Sequence, residues 1–284
     1  MTLFAQPEST REALALLAGK EWTLLAGGTD FYPSLGNKQP AGNVLDLSRL
    51  SELRAIRDNQ DHWHIGALTT WTDIIKNDLP ASFDALKLAA KEVGSAQIQN
   101  RGTVVGNICN ASPAADGIPA LLCLDAIVRS ATSSGTRDTP LKDFVVGNRK
   151  TILEPGEMVV EVLIPKASAT GRSTFIKLGA RRYLVISIAM CAARISVDKN
   201  NVIDSASLSM GSCSVVAIRL HKLEQALIGQ TLSPELCNTV QPQHFKELSP
   251  IDDVRSSAMY RLDAAAELVK RTLATLVHTP KNTS

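Results

Sequence analysis

The stretch RGTVVGNICNASPAADGIPALLCLDA, residues 101–126, constrains what this chain can fold into more than any other. It sets Gly102, Gly106, Asn107, Asn110, Ser112 and Asp116 in one short run. Small residues let a backbone come close to a ligand, and Asn, Ser and Asp supply side-chain hydrogen bonds. The run then turns apolar, and residues 118–124 read as a buried helix. A loop rich in Gly, Asn and Ser that leads into a helix is an anion cradle. Free backbone N–H groups point outward there, and the start of the helix favours negative charge. Taken alone, the same stretch is equally a sharp, well-capped turn. A second glycine loop upstream shifts the balance.

That loop is Gly27, Gly28, Thr29 and Asp30. It follows an apolar run at 22–26, read as a buried strand. A short helical turn toward Leu35, capped by Asp30 or Thr29, and a strand at 43–47 come after it. Strand, loop, short helix, strand is a βαβ-like unit, which places ligand loops at the carboxyl ends of strands. Upstream, Ser9 and Glu12 have capping-box spacing before Ala13, Leu14, Leu16 and Leu17, and Gly19 marks the helix end. From Ser51 the pattern changes: 53–57 and 62–66 read as a hairpin around a polar turn. Thr72 is placed to cap a short helix through Lys76, and 83–93 is a helix, apolar at Phe83, Leu86, Ala90 and Val93. Residues 126–129, 136–139 and 158–164 read as strands, with a short turn at 141–146.

Residues 165–173, PKASATGRS, are the best linker in the chain. Beyond them come strands at 175–178, 186–197 and 206–210, then a helix over 219–228 ended by Gly229. A terminal helix follows, apolar at Met259, Leu262, Ala266, Val269, Leu273 and Leu276, a packing face. Residues 279–284 are expected to fray.

Thirty basic residues balance 28 acidic ones, for a net charge of +2, and no basic block marks a nucleic-acid or membrane surface. Aromatics, at 4%, are too few for a base-stacking platform. No segment reaches the roughly 18 consecutive apolar residues of a membrane span, and the start of the chain lacks the signal-peptide pattern. The expectation is a cytoplasmic protein with neither nucleic-acid binding nor membrane insertion. The five cysteines, Cys109, Cys123, Cys191, Cys213 and Cys237, are scattered and read as free, buried thiols in a reducing compartment. Their spacing fits no iron–sulfur or zinc motif. His62 and His64 alternate in a strand pattern without a third ligand and read as surface or edge residues. No metal site is expected, and no proton-transfer or nucleophilic constellation is evident.

The two glycine loops belong to different subregions, and a ligand with adjacent phosphates could be gripped by both. Neither fits G-x-G-x-x-G or G-x-x-x-x-G-K-[ST], which argues against a standard Rossmann site and a P-loop. No lysine follows the glycines to reach a γ-phosphate, so an ATPase is disfavoured. A dinucleotide held between two small domains is the reading the residues support.

LLAGGTD at 24–30 and the 101–126 stretch resemble the FAD-binding medium subunit of molybdenum hydroxylases, the xanthine dehydrogenase and carbon monoxide dehydrogenase family. So do HIGALTTWTDI at 64–74, RKTILEPGEMVVEVLIP at 149–165 and FIKLGARRYLVISIAMCAARI at 175–195, and the resemblance runs nearly end to end. It implies an α+β chain: a two-subdomain FAD-binding fold of the p-cresol methylhydroxylase type plus a C-terminal three-stranded sheet with helices. The implied divisions are residues 1–52, 53–168 and 172–284.

FAD would lie between the first two parts. The resemblance wraps its pyrophosphate in Ala26, Gly27, Gly28, Thr29 and Asp30, flanked by Leu24 and Phe31. It draws Gly102, Thr103, Gly106, Asn107, Asn110, Ser112 and Asp116 from the second loop. It sets Met158 and Val159 by the adenine or ribityl part, and Lys177 and Ile186 by the flavin ring. The implied partners are a large molybdopterin-binding subunit and a small subunit with two [2Fe–2S] clusters, as a dimer of heterotrimers. NAD or oxygen is the implied terminal acceptor.

The chain departs from the family pattern at three positions. Val105 replaces a usual glycine and can still sit in a strand, Gln99 replaces an arginine, and Val185 replaces an aspartate near the flavin edge. That last carboxylate would disfavour anionic reduced flavin; its absence leaves the acceptor open. Two other readings stand beside this one: a stand-alone FAD-dependent oxidoreductase of the same superfold, and a non-catalytic nucleotide-binding scaffold.

Overall fold

The computed structural model describes residues 2–278, and the end expected to fray, 279–284, lies outside them. The first sheet is built from β1 (Phe4–Ala5), α1 (Thr10–Gly19), β2 (Thr23–Leu25), α2 (Phe31–Leu35) and β3 (Val44–Asp46). Both β1 and β2 pair parallel with β3, in the order β1-β3-β2. Parallel neighbours need crossovers, and α1 and α2 with their loops provide them. Half of the expected capping box forms. Ser9 Oγ accepts from the Glu12 N–H at 3.2 Å, while the Glu12 carboxylate accepts from Glu8. Asp30 stands at the cap position of α2 but makes no cap bond.

The second sheet and its helices run from β4 (Ile56–Asp58) and β5 (His62–Gly66) through α3 (Trp71–Lys76), α4 (Asp84–Glu92), α5 (Ala96–Arg101), α6 (Val104–Asn110) and α7 (Gly117–Cys123). Then come β6 (Ile127–Thr132), β7 (Gly135–Pro140), α8 (Leu141–Phe144), β8 (Val145–Gly147), β9 (Lys150–Thr151) and β10 (Met158–Pro165). The sheet is antiparallel in the order β4-β5-β10-β6-β7, with β8 and β9 as a separate ribbon.

Three local expectations are corrected here. The cap of α3 is Thr70, not Thr72: its hydroxyl accepts from the Asp73 N–H while the Asp73 carboxylate accepts from the Thr70 N–H. Thr72 bonds Asn100 instead. Val105 lies in the first turn of α6, not in a strand, because Thr103 caps that helix and commits the residues after it. His64 sits on β5, an inner strand, with Nδ1 3.0 Å from Glu161 Oε2 on β10, so it is neither an edge nor a surface residue.

The third part comprises β11 (Arg172–Leu178), β12 (Ala189–Val197), β13 (Ile203–Gly211), β14 (Ile218–Arg219), α9 (His221–Leu227) and α10 (Ala258–His278). Its antiparallel sheet has three long strands, as expected, plus the two-residue edge strand β14. β12 is buried on both faces. Cys191, Ala193 and Ile195 join the core under α9 and α10, while Met190 and Ala192 join the core shared with the first two sheets. That two-sided burial explains its unbroken apolar run. The expected linker is shorter than its composition suggests. Ser173 is already inside β11, with its hydroxyl bonded to the Ser82 carbonyl at 2.7 Å and the Ala85 N–H at 2.8 Å. It thereby fastens this sheet to the start of α4.

Candidate cofactor cleft

The carboxyl end of β2 and the start of α6 meet at a cleft of about 470 Å³. The first loop contributes Leu24, Ala26, Gly27, Gly28, Thr29, Asp30 and Phe31 to its lining. Gly102, Thr103, Gly106, Asn107 and Asn110 come from the second loop, and Val159 from β10.

Gly27 is where the loops touch. A Cβ built there would lie 1.9 Å from the Arg101 carbonyl oxygen and 3.0 Å from Gly102 Cα, so only hydrogen fits. Gly28 takes a left-handed φ of 72°, the turn that lifts the chain out of β2. The N–H groups of Gly27, Gly28, Thr29 and Asp30 find no acceptor among the described residues. Such a row of open donors is suited to phosphate oxygens.

The second loop is fixed from below. The Trp71 N–H donates to the Gly102 carbonyl at 3.1 Å, and the Val104 N–H to the Thr69 carbonyl at 3.0 Å. Thr103 Oγ1 accepts from the Gly106 N–H at 2.9 Å and so caps α6. Trp71 is fully buried beneath the cleft, and its ring lies 2.4 Å from where a Gly117 Cβ would stand. That contact explains the glycine that opens α7. Asn107 Oδ1 is buried without a hydrogen-bond partner among the described residues. A buried acceptor left unmet calls for a donor from a ligand, and nucleotide hydroxyls are such donors.

Five of the expected residues lie outside this lining. Ser112 holds its own turn, its hydroxyl accepting from the Ala114 N–H. Asp116 and Lys177, far apart in sequence, form a buried ion pair at 2.8 Å, and Ser187 Oγ donates to Asp116 at 2.6 Å. Burial pushes the Asp116 carboxyl above the usual carboxylate range, against the pull of Lys177 and Ser187. Met158 is fully buried in β10, and strand alternation leaves Val159, not Met158, on the cleft. Ile186 is exposed on the loop before β12.

Trp71, Val93, Val105, Cys109 and Ser34 line the cleft without having been singled out for it. Trp71 follows a cap signal, Thr70 with Asp73, but nothing in the sequence points its ring at the glycine loop. Burial pushes the Cys109 thiol up to about 12, so it stays protonated at neutral pH. Arg149, from the turn between β8 and β9, reaches Asp30 Oδ2 at 2.9 Å and Asn110 Oδ1 at 2.5 Å.

Residues 1–167 match the family described as "FAD binding domain in molybdopterin dehydrogenase", and residues 174–276 match "CO dehydrogenase flavoprotein C-terminal domain". The chain is 32% identical to the nicotinate dehydrogenase FAD-subunit of Eubacterium barkeri, over 94% of this chain and 93% of that one. It is 31% identical to the glyceraldehyde dehydrogenase medium chain of Sulfolobus acidocaldarius, over 94% and 95%. Among solved structures, carbon monoxide dehydrogenase from Hydrogenophaga pseudoflava superimposes with a TM-score of 0.83 at 28% identity, covering 96% of each chain.

Proposed function

Since the chain belongs to the family of FAD-binding medium subunits of molybdenum hydroxylases, we propose that it carries FAD between its two glycine loops and passes electrons within a dehydrogenase complex. FAD, when bound, would supply the redox chemistry that links the [2Fe–2S] clusters of a small subunit to a terminal acceptor. A large molybdopterin subunit would oxidise the substrate, in a dimer of heterotrimers, with NAD or oxygen as the acceptor. The names of the relatives, each a subunit or chain of a dehydrogenase, support this division of labour.

The observation that carries the reading is the meeting of the two loops at Gly27 and Arg101. It sets open N–H groups on one wall and the unmet Asn107 Oδ1 on the other. The residues present therefore fit a dinucleotide: Gly27–Asp30 would hold phosphate oxygens, and Asn107 would accept from a hydroxyl or ring N–H. Val105 and Val159 give the cleft apolar walls that exclude water. Lys177, held by Asp116, would stand by the flavin ring, with Ile186 over it. Ser112 and Met158 would act from behind the lining. We divide the chain at 1–52, 53–168 and 172–284, each part holding one of the three larger sheets.

Isolation of the native complex tests this reading. Molybdenum, iron and FAD should co-purify with the chain, and substrate should bleach the flavin only when the cluster subunit is present. A chain that turns substrate over alone, or that purifies without molybdenum and iron, would overturn it.

A further inference from the structure

We propose that Arg149 is the counter-cation that allows the cleft to accept a diphosphate. The inference rests on the reading of the cleft as an FAD site. Among the described residues that line it, Asp30 carries the one acidic or basic side chain. A diphosphate brings about two further negative charges to the same wall. Unscreened, the Asp30 carboxylate would repel it. The nearby loop amides offer dipoles, not a full positive charge. Lys177 cannot settle the balance, because Asp116 neutralises it where it stands, 2.8 Å away.

Arg149 answers this imbalance from outside the lining. One guanidinium nitrogen, Nη1, bonds Asp30 of the first loop at 2.9 Å and Asn110 of the second at 2.5 Å. It is thus tied to both loops at once. The backbone is arranged to hold it there. Arg149 takes a left-handed φ of 53°, which a non-glycine residue adopts uncommonly, and its N–H donates to the Ala111 carbonyl at 2.8 Å. Ala111, itself at φ 48°, ends α6 immediately after Asn110. The turn between β8 and β9 is therefore pinned to the helix that carries the second loop. A guanidinium suits this position: its charge does not titrate, and its fork keeps donors free for phosphate while Asp30 is held.

The ion pair is exposed, with 58% and 51% of the two side chains accessible, so it adds little to the stability of the fold. Its contribution should appear in ligand affinity. The test titrates FAD into the flavin-free full chain, followed by quenching of flavin fluorescence, for wild type, Arg149→Met, Arg149→Lys, Asp30→Asn and the Asp30→Asn/Arg149→Met pair. Arg149→Met should weaken FAD binding roughly ten- to hundredfold, the scale of a lost charge-assisted contact. The melting temperature of the flavin-free chain should not change. Arg149→Lys should recover part of the affinity, and added salt should shrink the difference. Removing the Asp30 charge in the Arg149→Met chain should restore most of the binding. Wild-type affinity in Arg149→Met, or no recovery in the double variant, overturns the proposal while leaving the FAD site standing. A wild-type chain that binds no FAD overturns the site reading and this proposal together.

Discussion

At Gly27 the two loops are separated by no more than a hydrogen atom. A methyl group there meets the Arg101 carbonyl oxygen, a backbone atom that cannot swing aside. Gly27→Ala should therefore spread the loops and abolish flavin binding while far-UV circular dichroism still reports a folded chain. Retention of a full flavin-to-protein ratio would contradict the close approach. Cys191 is the opposite case. It is fully buried in β12, and burial pushes its thiol up to about 12, so it offers neither a nucleophile nor a cofactor contact. Cys191→Ser buries a hydroxyl in the core at a cost of about 1–3 kcal/mol. It should lower the melting temperature and leave the flavin ratio intact. Both glycine loops could be read from residue types, although only the first needs glycine for its backbone, Gly27 for close approach and Gly28 for a positive φ. Arg149 could not: its motif was visible, but its left-handed backbone and its reach to Asp30 depend on a turn far along the chain.

At the scale of elements, the second glycine loop is better described as a helix with a glycine-bearing first turn. Thr103 caps it through the Gly106 N–H. Thr103→Val removes that bond at about 1 kcal/mol. It should loosen α6 and weaken flavin binding together, measurable as a lower melting temperature and a raised Kd for FAD. Strong periodic elements were legible in advance: α4, β10, β12 and the parallel β2–β3 unit all stand where apolar spacing put them. The helical start of the second loop was not, because Val104, Val105 and Ile108 read equally as strand, and the decision came from a cap. The face of α10 was only partly legible. Met259 and Leu262 point to solvent, while Arg261 is 1% exposed and bonds Asp253 at 2.7 Å. An apolar rule passes over a buried arginine. Arg255 and Arg261 hold the Asp253 carboxyl well below the usual carboxylate range. A folded-state value below the unfolded one stabilises above the unfolded value of about 3.9, and the gain is lost as pH falls through and below it. Asp253→Asn leaves Arg261 buried without its partner, which should cost about 2–4 kcal/mol at neutral pH. The variant should also show a flatter loss of melting temperature between about pH 5 and pH 2 than wild type. Equal acid sensitivity in the two proteins would contradict the assignment.

Over the whole molecule, the first two parts of the chain both line the cleft, and the third sheet is fastened to the second part through Ser173 and the Asp116–Lys177 pair. On the proposed reading, this cleft would hold the cofactor between parts of the chain. The central claim is that FAD occupies that space without a covalent bond. The direct measurement is acid precipitation of the purified full chain, reconstituted with FAD and freed of excess, followed by chromatographic assay of the flavin in supernatant and pellet. The account predicts intact FAD, one per chain, all of it in the supernatant. A chain that retains no flavin after reconstitution, or flavin that stays with the precipitated protein, would contradict it.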